Sequence, residues 1–220
     1  MHKYNLAEGE LLVRAAKNSI ELFLRNPHFD KAVVYETTKH LREMDGIFIT
    51  LEHHPTGALR GCIGFPTAVS TIGESVIDAA IAAAFEDPRF VPVSIHELDR
   101  LAVEVSILSK LEEIGGAASQ RYKKLAVGED GVMVKYGLHS GLLLPIVAVQ
   151  QGWDAKTLLK EACIKAGLDG FHWLQPNVKV YKFQTQVFRE ESPGGSVIEV
   201  ETKKAGPENH GAAKEKTYKS

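Results

Sequence analysis

The residues best placed to do chemistry lie together in Leu59-Arg60-Gly61-Cys62-Ile63-Gly64, where one of the two cysteines of the chain sits close to an arginine and between two glycines. The thiolate is the reactive form of cysteine, and a neighbouring guanidinium favours it. Glycines carry no side chain, so a ligand or another stretch of backbone can come close. Cys62 is therefore a candidate nucleophile or substrate anchor, Arg60 a candidate holder of an anionic group, and Gly61 and Gly64 candidate walls of a groove. A plainer reading competes with this one. Cys62 as a small buried hydrophobe under a helix, Glu52–Arg60 as a cross-strand ion pair, and Gly64 as a position covered by Phe48 would need no function.

The element that must present these residues is a hairpin. Gly46–His53 and Ala58–Phe65 are both rich in strand formers, and Pro55-Thr56-Gly57 between them suits a loop built on a type I turn followed by a left-handed residue. That loop sets His54 opposite Ala58, Glu52 opposite Arg60, Thr50 opposite Cys62 and Phe48 opposite Gly64. Ile47, Ile49, Leu51, Leu59, Ile63 and Phe65 then share the other face and belong to the core. On this register Cys62, Arg60 and Glu52 project from one face, with Glu52 partly cancelling the effect of Arg60 on the thiol.

No other cluster competes strongly. The nine histidines form no metal signature; His53 and His54 are adjacent on a strand and point to opposite faces, so a metal at His54 or His139 with Glu52 is a remote option and no ligand set is assigned. Cys163, among Leu159, Ala162 and Ala166, reads as core. No phosphate-binding glycine loop or nucleophile elbow occurs. Arg121-Tyr122-Lys123-Lys124 is basic and aromatic, but Glu112, Glu113, Glu129 and Asp130 lie near it in sequence, so it reads as solvated surface. A net charge of −2 and a pI near 6.5 provide no general attraction to nucleic acid or anionic membranes. The start of the chain has no apolar signal segment and the apolar runs are too short to span a bilayer, so a cytoplasmic protein is expected. Two cysteines make no disulfide framework.

Capping signals mark the helices. Asn5 with Glu8 opens residues 6–25, Thr71 with Glu74 opens a helix reaching about Phe85, and Ser94 with Glu97 opens a short turn. Asp154 caps Ala155–Ala166, with Gly167 as its stop and Trp153 and Leu158 as a hydrophobic staple. Strands are expected at Leu101–Ser109, Leu125–Val127, Val132–Tyr136 and, after a turn at Tyr136–Ser140, Gly141–Pro145, with one long strand over Val178–Phe188 and a hairpin turn at Glu129-Asp130-Gly131. Hairpins outnumber helical crossovers, which gives an α+β fold with mostly antiparallel sheet flanked by helices. From Ser192 the composition turns to Lys, Glu, Gly and Ala, so residues 192–220 are expected to form a disordered tail, with Val197–Val200 the one run that breaks the pattern. The folded domain is expected over residues 5–191.

The ordered series Leu59–Gly64, Asp87-Pro88-Arg89-Phe90, Leu101–Ser109, Gly128-Glu129-Asp130-Gly131, Gly141–Pro145 and Gln151-Gly152-Trp153-Asp154 resembles the AMMECR domain family over roughly residues 7–191. The resemblance implies larger and smaller subdomains with a cleft between them near Leu59–Gly64, the hallmark of the family. It also implies an archaeal or bacterial stand-alone protein, associated with Memo-like and radical SAM proteins. It names no cofactor and no reaction. Family members often carry polar residues where this chain has Ile146 and Gln150, which weakens a mechanism needing a carboxylate there. Three roles follow. The foremost is a binding or accessory module that takes a peptide, small molecule or protein partner through the Leu59–Gly64 groove. The second is an enzyme or modification component using Cys62 with Arg60. The third, a nucleic-acid-associated role, is disfavoured by charge. Whether the chain is an enzyme is left open.

Overall fold

The computed structural model describes residues 3–200, and the chain divides into two compact units, one taking the chain up to Lys110 and again from Gln186, the other Leu111–Thr185. The fold is α+β, with two sheets flanked by helices.

The first unit is built on a five-stranded sheet in the order β2-β1-β3-β8-β9. Its strands are β1 (Gly46–His53), β2 (Ala58–Phe65), β3 (Leu101–Leu108), β8 (Thr185–Glu190) and β9 (Val197–Val200). Helix α1 (Leu6–Arg25) begins with the expected capping box, Asn5 accepting from the Glu8 amide while Glu8 accepts from the Asn5 amide. Helix α3 (Ile72–Phe85) begins with the same device at Thr71 and Glu74. α3 is buried nearly all round, and Ile72, Val76, Ala79, Ala80 and Ala83 join Ile47, Ile49 and Leu51 of β1 and Leu12, Ala16 and Ile20 of α1 in one core. A helix apolar on all sides belongs inside a domain, and its alanines let it lie close to the strands. Two short helices complete the unit, α2 (Ala32–Thr38) and α4 (Ile95–Leu98).

The second unit has a four-stranded sheet in the order β4-β7-β5-β6, made of β4 (Glu112–Glu113), β5 (Gly131–Tyr136), β6 (His139–Leu143) and β7 (Lys179–Phe183). Helices α5 (Pro145–Gln151) and α6 (Ala155–Lys165) pack with it, and α6 is capped by Asp154 accepting from the Thr157 amide. Its core gathers Val132, Val134, Leu158, Leu159, Ala162, Cys163 and Trp173, with Trp153 packed against the same cluster.

Three expectations are corrected here. The strand expected over Val178–Phe188 is two strands in different sheets, β7 and β8. No hairpin forms around Glu129-Asp130-Gly131, whereas the turn expected at Tyr136–Ser140 joins β5 to β6, with Gly137 at φ +58°. Leu125–Val127 is no strand: Asp130 closes the preceding loop by accepting from the Ala126 amide at 2.9 Å. Order also extends past Ser192. β9 pairs antiparallel with β8, Val197 against Glu190 and Val200 against Val187, and Val197 is buried. The tail expected from Ser192 therefore folds as far as Val200, and the rest of it, residues 201–220, lies outside the described residues.

Candidate functional site

β2 is an edge strand, paired on one side with β1. Thr50 lies opposite Cys62 and Phe48 opposite Gly64, as the apolar pattern required. Past Leu51–Gly61 the register shifts, so that Glu52 faces Leu59 and His53 faces Ala58. Arg60 is the extra residue of a β-bulge, and the expected Glu52–Arg60 and His54–Ala58 pairings do not form. A bulge turns the bulged side chain away from the alternation of its strand. The loop accordingly spans His54–Gly57, closed by the Gly57 amide donating to the His53 carbonyl at 2.7 Å.

The bulge sends Arg60 to an acidic partner that the hairpin alone does not supply. Its Nε donates to Glu97 Oε1 at 2.9 Å, and Nη2 donates to Glu97 Oε2 at 3.3 Å and to the Val91 carbonyl at 2.9 Å. Arg60 is only 6% exposed, and its Nη1 is buried with no partner among the described residues. Glu97 meanwhile caps α4, accepting from both the amide and the hydroxyl of Ser94. The hydrogen bonds from Arg60, against a smaller opposing effect of burial, bring the Glu97 carboxyl down to about 2, with Ser94 adding to them. One carboxylate thus ends the cap and fixes the arginine.

Cys62 is fixed through its backbone. Its amide donates to Asp87 Oδ2 at 2.9 Å, and its carbonyl accepts from Arg89 Nη2 at 3.4 Å. Arg89 also binds Asp87 through Nε at 2.9 Å and Nη2 at 2.7 Å. Burial alone would raise the Asp87 carboxyl, but the hydrogen bonds from Arg89 and from the Cys62 amide hold it below its ordinary value. The Asp87–Arg89 pair therefore occupies the Cys62 peptide groups at the open edge of β2, where another strand could otherwise add. The Phe90 ring centroid lies 5.8 Å from Arg60 Cζ and 5.4 Å from Arg89 Cζ, within cation–π range of both.

The thiol itself is half-buried and accepts from the Thr50 hydroxyl at 3.4 Å. The two glycines serve close packing. A Cβ at Gly61 would stand 2.1 Å from the Ala83 carbonyl oxygen of α3, and one at Gly64 would meet the Ile47 carbonyl oxygen at 2.1 Å and the Phe48 ring at 2.7 Å. What comes close at both positions is the protein's own chain, as the plainer reading anticipated for Gly64. Glu52 is half-buried on β1, and the ion pair of Arg60 is with Glu97. Cys163 is fully buried, and burial pushes its thiol up.

Sequence reasoning singled out Cys62 and Arg60 but gave no site role to Asp87, Arg89, Phe90 or Glu97, which hold them. The signal was present: Asp87–Phe90 was read as a motif and Ser94/Glu97 as a cap. Their partners lie far along the chain, where local pattern carries no information. The segment joining them shows an apolar face to the outside, with Val91 76% and Ile95 46% exposed. No cluster of three His, Cys, Asp or Glu able to hold a metal occurs among the described residues, and none of their helices is long and apolar enough to cross a membrane.

Comparison with known proteins gives a consistent picture. The model of the AMMECR1 family matches residues 13–188. A protein of Thermococcus gammatolerans is 47% identical over 86% of this chain and 93% of its own length. A Methanocaldococcus jannaschii protein is 42% identical over 90% of this chain and 98% of its own length. The crystal structure of an uncharacterized Pyrococcus horikoshii protein superposes with a TM-score of 0.85 at 44% identity, covering 91% of this chain and all of that one.

Proposed function

The chain belongs to the AMMECR1 family, and from that premise we propose that it is a binding or accessory module whose docking surface is Leu59–Gly64 together with the Asp87–Glu97 segment fastened to it. One observation carries this reading. Charged side chains fasten the segment to the strand, buried Arg60 on Glu97 and the Val91 carbonyl, and buried Asp87 with exposed Arg89 on the Cys62 peptide groups. The result is a fastened segment that presents Val91 and Ile95 to the outside. Apolar side chains pinned in place by buried polar bonds suit a protein partner, because little ordering entropy is left to lose on association.

The family resemblance makes Memo-like and radical SAM proteins the first partners to test. Co-expression of the tagged chain with a Memo-like protein and a radical SAM protein from one archaeon is expected to recover a complex. Val91→Glu and Ile95→Glu should weaken it at least tenfold, with an unchanged melting temperature. Recovery of neither partner by the wild-type chain, or equal recovery by both variants, overturns the reading.

The half-buried Cys62 sulfur, hydrogen-bonded to Thr50, favours a second reading in which this thiol reacts or anchors a substrate. Arg60 is committed to Glu97, so on this reading the anionic group would have to compete with a carboxylate already bound. Cys62→Ser separates the two: loss of a cellular activity with the complex intact assigns the thiol to chemistry, and loss of the complex assigns it to docking.

A further inference from the structure

The second unit contains a cavity of ≈ 400 Å³ that plays no part in the reading above. Tyr122, Phe171 and Trp173 line it with aromatic surface, and Lys156, Lys160, Ser119 and Thr157 are its polar lining residues. No carboxylate is among its lining residues. Phe171 is 64% exposed, so its ring is open to solvent at the cavity.

The surroundings hold these groups in place. Arg121, itself buried, donates through Nη1 to the Trp173 carbonyl at 2.6 Å and to the Gln175 carbonyl at 3.3 Å, which fixes the turn carrying Phe171 and Trp173. Lys156 Nζ stands 4.6 Å from the Tyr122 ring centroid, so its ammonium is held over an aromatic face. The stem of Lys160 lies against Gly170, where a Cβ would come within 2.8 Å of Lys160 Cγ. Glu161 lies 3.7 Å from Lys160 Nζ and offsets part of its charge, and the Asp154 carboxylate, which Lys156 helps to hold below its ordinary value, offsets part of the charge of Lys156. Both the amide and the hydroxyl of Thr157 are engaged by the Asp154 cap, so Thr157 lines the cavity without a spare donor.

We propose that this cavity is a binding site for a small, flat aromatic molecule carrying an anionic group, its ring against Phe171 and Trp173 and its anion between Lys156 and Lys160. Size, aromatic lining and a few convergent polar groups are the usual marks of a small-molecule site. The sign of the charge decides the ligand class: two ammonium groups with no lining carboxylate favour an anion in a chain whose net charge is −2. A nucleoside monophosphate and a simple aromatic acid share this chemistry, and both are probes for it.

Trp153→Phe leaves Trp173 as the single tryptophan, and its fluorescence reports occupancy. Titration with AMP, 4-hydroxybenzoate, adenosine and inorganic phosphate separates the contributions. Saturable quenching by AMP or by 4-hydroxybenzoate is expected, at least tenfold tighter than by its uncharged or ringless counterpart. AMP alone would mark a nucleotide site and 4-hydroxybenzoate alone an aromatic-acid site. Lys156→Ala combined with Lys160→Ala should weaken the bound probe at least tenfold, and Phe171→Ala should do so with the lysines intact. Circular dichroism of each variant confirms that it is folded. No saturable quenching by either anion, or binding unchanged in the double lysine variant, overturns the proposal. Neither outcome bears on the docking surface, which involves none of these residues.

Discussion

Cys62 and Cys163 are the same residue in opposite surroundings, one half-buried beside a hydroxyl and the other sealed among Leu159, Ala162 and Trp173. Iodoacetamide on the native protein should label Cys62 and leave Cys163 untouched until unfolding, a difference that peptide mass spectrometry reads directly. Serine at position 62 can accept the same hydrogen bond from Thr50, so Cys62→Ser should change stability by less than about 1 kcal/mol. Glu97 gives a prediction in pH. Its carboxyl is held at about 2 in the folded chain against an ordinary 4.5. A depressed folded-state pKa contributes stability that is complete above the unfolded value and disappears as pH falls through the folded one. The denaturation midpoint should therefore drop between about pH 4.5 and 2, and Asp87 acts with the same sign. Glu97→Gln should lower stability at neutral pH and flatten that part of the profile, read by urea titration at several pH values.

Gly61 is where β2 and α3 touch most closely. Gly61→Ala places a methyl carbon 2.1 Å from the Ala83 carbonyl oxygen, a backbone atom that cannot swing aside. The expected cost is roughly 1–3 kcal/mol in equilibrium urea unfolding. Gly115→Ala, with nothing within 4 Å of the new carbon, is the matched control and should be near neutral. The helix starts at Asn5, Thr71, Ser94 and Asp154 were legible in the sequence because a cap and its partner lie three residues apart. So was the half of the hairpin that sets Thr50 opposite Cys62, since the alternation of Ile47, Ile49 and Leu51 fixes it. The bulge at Arg60 was not, because what stabilises it, Glu97 and the Val91 carbonyl, arrives from a later segment. The division of Val178–Phe188 into two strands escaped for a similar reason. β7 and β8 read as one continuous run of strand-forming residues, and only their partners in separate sheets tell them apart.

Glu190, wholly buried, ties distant parts of the first unit together. It receives Arg14 at 3.0 Å, Lys17 at 3.1 Å, the Val103 amide at 3.2 Å and the Gly194 amide at 3.1 Å. Ending the chain at Glu191 would remove the Gly194 contact, the Gly195 carbonyl that Arg14 donates to, and the buried Val197. A loss of about 2 kcal/mol is expected, read as a fall in Tm of about 4–8 °C. An unchanged Tm would show that β9 contributes nothing to stability. The same connectivity has a consequence for synthesis. Leu111–Thr185 is one uninterrupted stretch with its own sheet and core, and β4 near its start pairs with β7 near its end. The first unit, by contrast, waits for β8 to reach β3 and for Glu190 to reach α1. On the ribosome, the middle of this protein is therefore free to finish folding while α1, α3 and β1–β3 still lack the strand that closes their sheet. Throughout that interval the apolar groups of the incomplete unit remain in water, and Arg14 and Lys17 lack the carboxylate of Glu190.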